Sequence, residues 1–308
     1  MELQSSPVRR LRVKHIIFWG LILIHGALHA SDTSLYFTPV VANGRPLSEL
    51  HANLRDQAKG SAVRILIRAR QGELHAMCSG TLISASEVVT AAHCFSEHRF
   101  GRVRSDASVG RILVEITNPQ TQEMKRIAAR EIRSLIDPAR MGREEDTTAR
   151  DLTYLRLSEE VHGIPTMPVC FADRDLQNGA AFAIGSGHMA EGQSRRTLNR
   201  ALLFSELKNI EAESPGALRA VQIGASRICS GDSGGGLIHW NGSEACLAAV
   251  TVGTYSSLAS DSSQNGPRRK PQQPAPLTVY QDCVQDEDGI VFFADLRGRL
   301  DLLLPLPK

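Results

Sequence analysis

The sequence contains no C-x-x-C pair, so the paired ligand spacing of a zinc ribbon is missing. It carries little net charge, +2 at pH 7, and its basic residues are scattered apart from Arg9, Arg10, Arg12 and Lys14 near the start and Arg268, Arg269 and Lys270 further on. That distribution leaves no electrostatic footprint for nucleic acid. No apolar run reaches the roughly 20 residues of a membrane span. Ile16 to Leu28 comes nearest, and His25 interrupts it. No repeat at a fixed short period occurs, which excludes solenoid architectures. Apolar residues are not scarce: at 42% they are enough for a large core, and whole-chain disorder is excluded. A length of 308 residues allows one large domain or two smaller ones.

The first 30 residues have the layout of a secretory signal peptide. A basic stretch precedes the short apolar run, and small residues follow at Ala27, Ala30 and Ser31. Cleavage is expected near Ala30, with an uncleaved anchor as the alternative. The six cysteines are an even number in a chain expected to be exported. Disulfides are therefore expected rather than metal ligands. The expected location is secreted, extracellular or periplasmic, with no stable membrane insertion after signal cleavage.

Residues 31–60 are polar and mixed, an N-terminal segment of propeptide type. Beyond them, short strand candidates recur. Ala62 to Ala69 alternates Ile65 and Ile67 against Arg64 and Arg68. Others are Thr81–Ile83, Val88–Thr90, Arg111–Ile116, Leu152–Leu157, Ala181–Ile184, Gly236–Trp240, Leu247–Val252 and Ile290–Phe293. Many short strands set off by turns predict a sandwich or barrel. One helix is expected, Ala294–Leu304, ended by Pro305. Arg140–Arg150 and Ser256–Pro276 are expected to be solvated loops.

The chemistry centres on Gly231-Asp232-Ser233-Gly234-Gly235. A serine hydroxyl needs a base to take its proton and donors aimed at the developing oxyanion. Glycines beside it let the backbone bend until its amides point there. The stretch also fits the nucleophile elbow of α/β-hydrolases, or a plain glycine-rich turn. Chain order separates these. The elbow enzymes place an acid and then a histidine after the serine. Here the one histidine after Ser233 is His239, six residues on, so the base must lie upstream. Upstream, an apolar strand runs through Val88-Val89-Thr90-Ala91-Ala92 into His93-Cys94.

With its T-A-A-H-C motif and the preceding Cys78-Ser79-Gly80-Thr81-Leu82, the chain resembles the chymotrypsin–trypsin family of serine proteases over residues 60–304. The resemblance implies an all-β fold of two antiparallel Greek-key six-stranded barrels with a C-terminal helix. The first barrel is expected over 61–165, carrying His93 and Asp151. The second is expected over 166–308, carrying Ser233 and the insertion 256–276, with the crossover at Ile164–Pro168. The acid is Asp151, which opens the strand Leu152–Leu157; Asp146 lacks an apolar strand behind it. By the same resemblance, the N–H groups of Gly231 and Ser233 form the oxyanion hole. Asp232 orders that loop by pairing with a freed N-terminal amine. Cys78 is expected to pair with Cys94 and Cys229 with Cys283, leaving Cys170 with Cys246.

Two departures from the family bear on function. Val40-Val41-Ala42-Asn43-Gly44 matches its activation sequence weakly and follows Pro39, not a basic residue. Arg227 stands six residues before Ser233, where trypsins have aspartate, and is followed by Ile228. Pointing into the pocket, its charge rejects Lys and Arg and attracts Asp or Glu; pointing away, it leaves a shallow apolar pocket. A third alternative is a solvated arginine on a shortened loop. Thr251-Val252-Gly253 matches the substrate-binding strand, with valine in place of tryptophan. The expectation is thus a secreted serine endopeptidase without trypsin-like preference. It needs no cofactor and no metal, takes a protein or peptide substrate, and has an activating protease as a second partner. The alternatives are a catalytically silent homologue that binds a protein partner, and an esterase of the same fold.

Overall fold

The computed structural model describes residues 44–68, 72, 74–95, 106–136, 147–171, 174–185, 202–224, 226–228, 231–254 and 289–303. The signal segment, residues 40–43 of the weak activation sequence, the insertion 256–276, and Cys229 and Cys283 lie outside the described residues.

Six strands close the first barrel: β2 (Ala62–Arg68), β3 (Leu74–Ser84), β4 (Glu87–Thr90), β5 (Ile112–Thr117), β6 (Met124–Ser134) and β7 (Thr153–Leu157). They run in the order β2-β3-β4-β7-β6-β5, all pairs antiparallel, with β5 returning to β2. The alternation of β2 places Val63, Ile65 and Ile67 inside, each at most 2% exposed. Each such side chain contributes roughly 1.5–3 kcal/mol by leaving water. The intervening Arg64 stands opposite Glu115 of β5, and Glu115 opposite Arg126 of β6. Both arginines bond that buried carboxylate, at 3.3 and 2.9 Å, so it is paired on both sides.

The second barrel comprises β8 (Ala180–Gly185), β9 (Leu203–Ser214), β10 (Ala217–Gln222), β11 (Gly236–Trp240), β12 (Ala245–Thr254) and β13 (Ile290–Asp295). Its order is β9-β10-β13-β12-β11-β8, and pairing of β8 with β9 closes it. Two closed six-stranded antiparallel barrels are therefore present, as the resemblance implied. The two-residue strand β1 (Arg45–Pro46) adds to the start of β9.

Residues 45–61 belong to the folded unit. After β1, helix α1 (Ala52–Ser61) turns Leu54 and Ala58, one turn apart, against the first barrel. The sequence gives no periodic signal for an element there, because this helix is polar on most of its surface. Gly60 sits under Pro165 so closely that a Cβ would come within 2.6 Å of its ring.

The crossover is stitched to both barrels. Met167 N–H donates to Leu82 C=O in β3 at 2.9 Å. Pro168 C=O and Cys170 N–H both bond Leu247 of β12, at 2.8 and 2.9 Å. A disulfide then ties Cys170 to Cys246.

The helix expected over Ala294–Leu304 is replaced by other structure. Ala294 and Asp295 are still strand, paired with Ala217 and Val250 and with Ala249. Gly298 at φ +67° turns the chain, and only Leu300–Leu302 form a 3₁₀ turn. Sheet pairing takes residues that helical periodicity alone assigned to a helix.

Candidate active site

Strand β4 delivers the histidine. Val88, Val89 and Ala91 are fully buried, and the chain then winds into a 3₁₀ turn, Ala92–Phe95, that carries His93. The next residue, Cys94, is joined by a disulfide to Cys78 in β3. Asp151 follows the short helix α2 (Thr147–Arg150) and precedes β7. Its side chain is 0% exposed and accepts two hydrogen bonds from one residue. His93 N–H reaches Oδ1 at 2.8 Å, and the ring Nδ1 lies 2.6 Å from Oδ2. A buried carboxylate so placed keeps the proton on Nδ1 and leaves Nε2 as an acceptor.

Residues Gly231–Gly234 form a turn in which Gly231 and Gly234 adopt φ +102° and +83°. Gly234 is also a point of close approach: a Cβ there would come within 2.1 Å of Thr90 Oγ1 and 2.3 Å of Ser79 O. The turn is bound on both sides. Gly234 N–H donates to Thr251 C=O, and Thr251 N–H donates to Gly235 C=O, both at 2.8 Å. From the other barrel, Ser79 N–H donates to Ser233 C=O at 2.8 Å, and the Ser79 hydroxyl donates to Gly231 C=O at 3.1 Å. The Thr90 hydroxyl in turn donates to Ser79 C=O at 2.7 Å.

The Ser233 hydroxyl is turned toward Val252 C=O at 3.5 Å. That is the outer limit of a hydrogen bond. Among the described residues it makes no hydrogen bond to His93. The structure thus joins Asp151 to His93 and packs the Ser233 turn against the strand bonded to the His93 turn. The serine–histidine bond itself is not formed. Catalytic hydrogen bonds are often long or open in a resting site.

Asp232 is buried and packs on Gly185, where a Cβ would come within 2.0 Å of its Oδ1. Arg227 curls over its own loop, its Nη1 donating to Gly224 C=O at 2.9 Å and Ser226 C=O at 2.7 Å. Its guanidinium lies beside Gly289, with Cζ 3.5 Å from where a Cβ would stand. Ile228, Thr251 and Val252 are buried and Gly253 is half-buried.

Sequence reasoning missed the buried polar set under this loop. Gln222 accepts from Ile228 N–H through Oε1 at 2.6 Å, and its own N–H donates to Gly289 C=O at 2.9 Å. Ser226 bonds Ser205 at 2.7 Å and donates to Ile223 C=O at 3.1 Å. The last residues of β10, beside the Arg227 loop, gave no motif by which to find it. Ser79 and Thr90 were visible, since both lie within the quoted motifs, but nothing in the sequence said what they bond.

Among the described residues, Cys78, His93 and Cys94 group within 4.8 Å. The two sulfurs are bonded to each other, and it is thiolate that binds zinc. His239 is buried within β11. Its Nε2–H donates to Asn178 C=O at 2.9 Å, and Nδ1 accepts from Arg174 Nε at 3.1 Å. Burial lowers its pKa, and the Arg174 charge lowers it further against the opposing Asn178 bond.

Two closed barrels carrying an aspartate–histidine pair and a glycine-flanked serine define a protein of the serine-protease type. The Trypsin family profile matches residues 54–282, and the chain belongs to that family. A curated relative, trypsin-like protease try-5 of Caenorhabditis elegans, is 51% identical over 37 residues. That match covers 12% of this chain and 11% of the relative.

Proposed function

We propose that this protein is a secreted serine endopeptidase using His93, Asp151 and Ser233. The observation that carries the proposal is the two-point grip of buried Asp151 on His93, at 2.8 and 2.6 Å. It orients the ring and offsets the charge that forms when Nε2 takes a proton. In the proposed cycle, Ser233 rotates from Val252 toward His93, gives up its proton and attacks the peptide carbonyl. The C–N bond breaks as His93 returns the proton to the leaving amine. Water then repeats the sequence on the acyl-enzyme. The N–H groups of Gly231 and Ser233 hold the oxyanion, a contribution worth about 10²–10³ in rate per donor. Asp232 holds the turn in register after a maturation cut by an activating protease.

Thr251, Val252 and Gly253 on β12 are the proposed edge for an extended substrate. A preference other than trypsin-like is supported by Arg227 standing at the position where trypsins carry the aspartate that pairs with a basic P1 side chain. Secretion is supported by the two described disulfides, which persist in oxidising compartments. Among the described residues, no helix is long and apolar enough to cross a membrane.

A peptide-library cleavage profile of the mature protein tests this. Cleavage depleted in Lys and Arg at P1, and absent in Ser233→Ala, is expected. Intact peptides throughout the library would make the protein a silent, partner-binding homologue instead, and cleavage after Lys and Arg would overturn the assignment of Arg227.

A further inference from the structure

We infer that the Ser79 hydroxyl is a positioning group for the oxyanion hole. Its inward turn lets the first barrel set the geometry of a loop in the second. The inference rests on the endopeptidase reading above.

Ser79 lies in β3, within Leu74–Ser84, and is buried at 1% exposure. On one side it pairs with Arg64 of β2. On the other, β4 pairs with β3 only from Thr81 onward. The stretch of β3 edge beyond that pairing is taken by the Ser233 turn, through Ser79 N–H and Ser233 C=O at 2.8 Å. The neighbouring Ser79 C=O is taken by the Thr90 hydroxyl at 2.7 Å. Those contacts fix the far end of the turn and the position of Ser79 itself. The near end is Gly231, a residue at φ +102° with no side chain to hold it. Its carbonyl is held by the Ser79 hydroxyl at 3.1 Å.

The two Ser79 bonds therefore grip the carbonyls at both ends of the tripeptide that carries the two proposed oxyanion N–H groups. Rotation of the Gly231–Asp232 peptide reorients the link between those N–H groups. A buried carbonyl stripped of its partner favours such a rotation, because it is costly to leave unsatisfied. The backbone bond at Ser233 is available to any residue at position 79. The bond to Gly231 requires a hydroxyl. Cys78, one residue before Ser79, is tied by its disulfide to Cys94, beside His93. One dipeptide therefore references the base and the oxyanion turn to a single strand.

The test compares wild type, Ser79→Ala and Ser79→Thr in mature protein. Burst titration with an activated nitrophenyl ester counts working sites, and kcat and KM are measured per working site on a peptide substrate. The expected result is a fall in kcat of about tenfold to a hundredfold in Ser79→Ala with KM within about twofold. Ser79→Thr, which keeps the hydroxyl, recovers most of the rate. Unchanged kcat in Ser79→Ala overturns the inference. An equal loss in Ser79→Thr also overturns it, assigning the effect to packing. A wild type with no burst and no turnover defeats the endopeptidase reading, and the role of Ser79 with it.

Discussion

Gly234 has no room for a side chain. Its φ of +83° disfavours one, and Thr90 Oγ1 and Ser79 O occupy the space that a Cβ would take. Gly234→Ala is expected to cost about 2–4 kcal/mol from backbone strain and overpacking together. Chemical denaturation measures that loss, and kcat should fall with it because the Ser233 turn must shift. At Asp151 the geometry predicts a different signature. Asp151→Asn keeps the shape but offers His93 the wrong partner, and the expected fall in kcat is about 10⁴, because the ring is then held in the wrong tautomer. Steady-state kinetics check it, with the melting temperature as a control. At this scale the motifs singled out His93, Asp151 and Ser233, and the first two are hydrogen-bonded to each other. The sequence was silent where the partner is a backbone carbonyl. Nothing in C-S-G-T-L says that Ser79 bonds Gly231, which lies 152 residues away. Arg227 likewise donates to two carbonyls of its own loop, contacts that no motif encodes.

Among the elements, β11 joins the nucleophile turn to a buried titratable group. It begins at Gly236 and carries His239 between Arg174 and the Asn178 carbonyl, with Asp175 and Arg297 the other charges acting on it. Burial holds its pKa below the ordinary value of 6.5. The unfolded chain therefore takes up a proton at a pH where the folded one does not. Stability is then fully present above about 6.5 and falls as pH drops through the window below it. Urea denaturation at a series of pH values should show that slope, and His239→Gln, whose amide does not titrate, should flatten it. A slope unaltered by the substitution would place the acid sensitivity elsewhere. Ala62–Arg68 was legible from its alternation, and Gly236–Trp240, buried along most of its length, from its short apolar run. The strands β6, β9 and β10 were not. Register shifts interrupt β6 between Ala129 and Glu131, and the β9–β10 ladder has two more. Asn209 at φ +52° breaks the alternation again. Each extra residue reverses which face is apolar, so the period-2 signal cancels.

For the whole molecule, function depends on holding two separately closed barrels in register. Hydrogen bonds from Ser79 to the Ser233 turn, the crossover at Met167–Cys170, and Arg299 do this. Arg299 donates to Ala149 C=O, two residues before Asp151, and to Gly216 C=O in the β9–β10 turn at 3.1 Å. It thereby links the segment leading to the acid with the barrel carrying the serine. Arg299→Ala is expected to lower stability by about 1–3 kcal/mol, as a charge-assisted donor is lost from half-buried carbonyls. Removing the Cys170–Cys246 disulfide as a double alanine variant should cost about 2–4 kcal/mol. Thermal unfolding in parallel with wild type measures both. The double-barrel architecture was inferred from the T-A-A-H-C and G-D-S-G-G motifs. Strand periodicity alone stopped at a sandwich or barrel, since period says which face is buried but not which strands pair.

The most direct test of the account is fluorophosphonate labelling of the mature protein, with the modified residue located by mass spectrometry. The account predicts one label per molecule, on Ser233, lost in His93→Ala and strongly slowed in Asp151→Asn. No label on a correctly processed wild type, or a label on Ser233 that His93→Ala leaves at full rate, would contradict it.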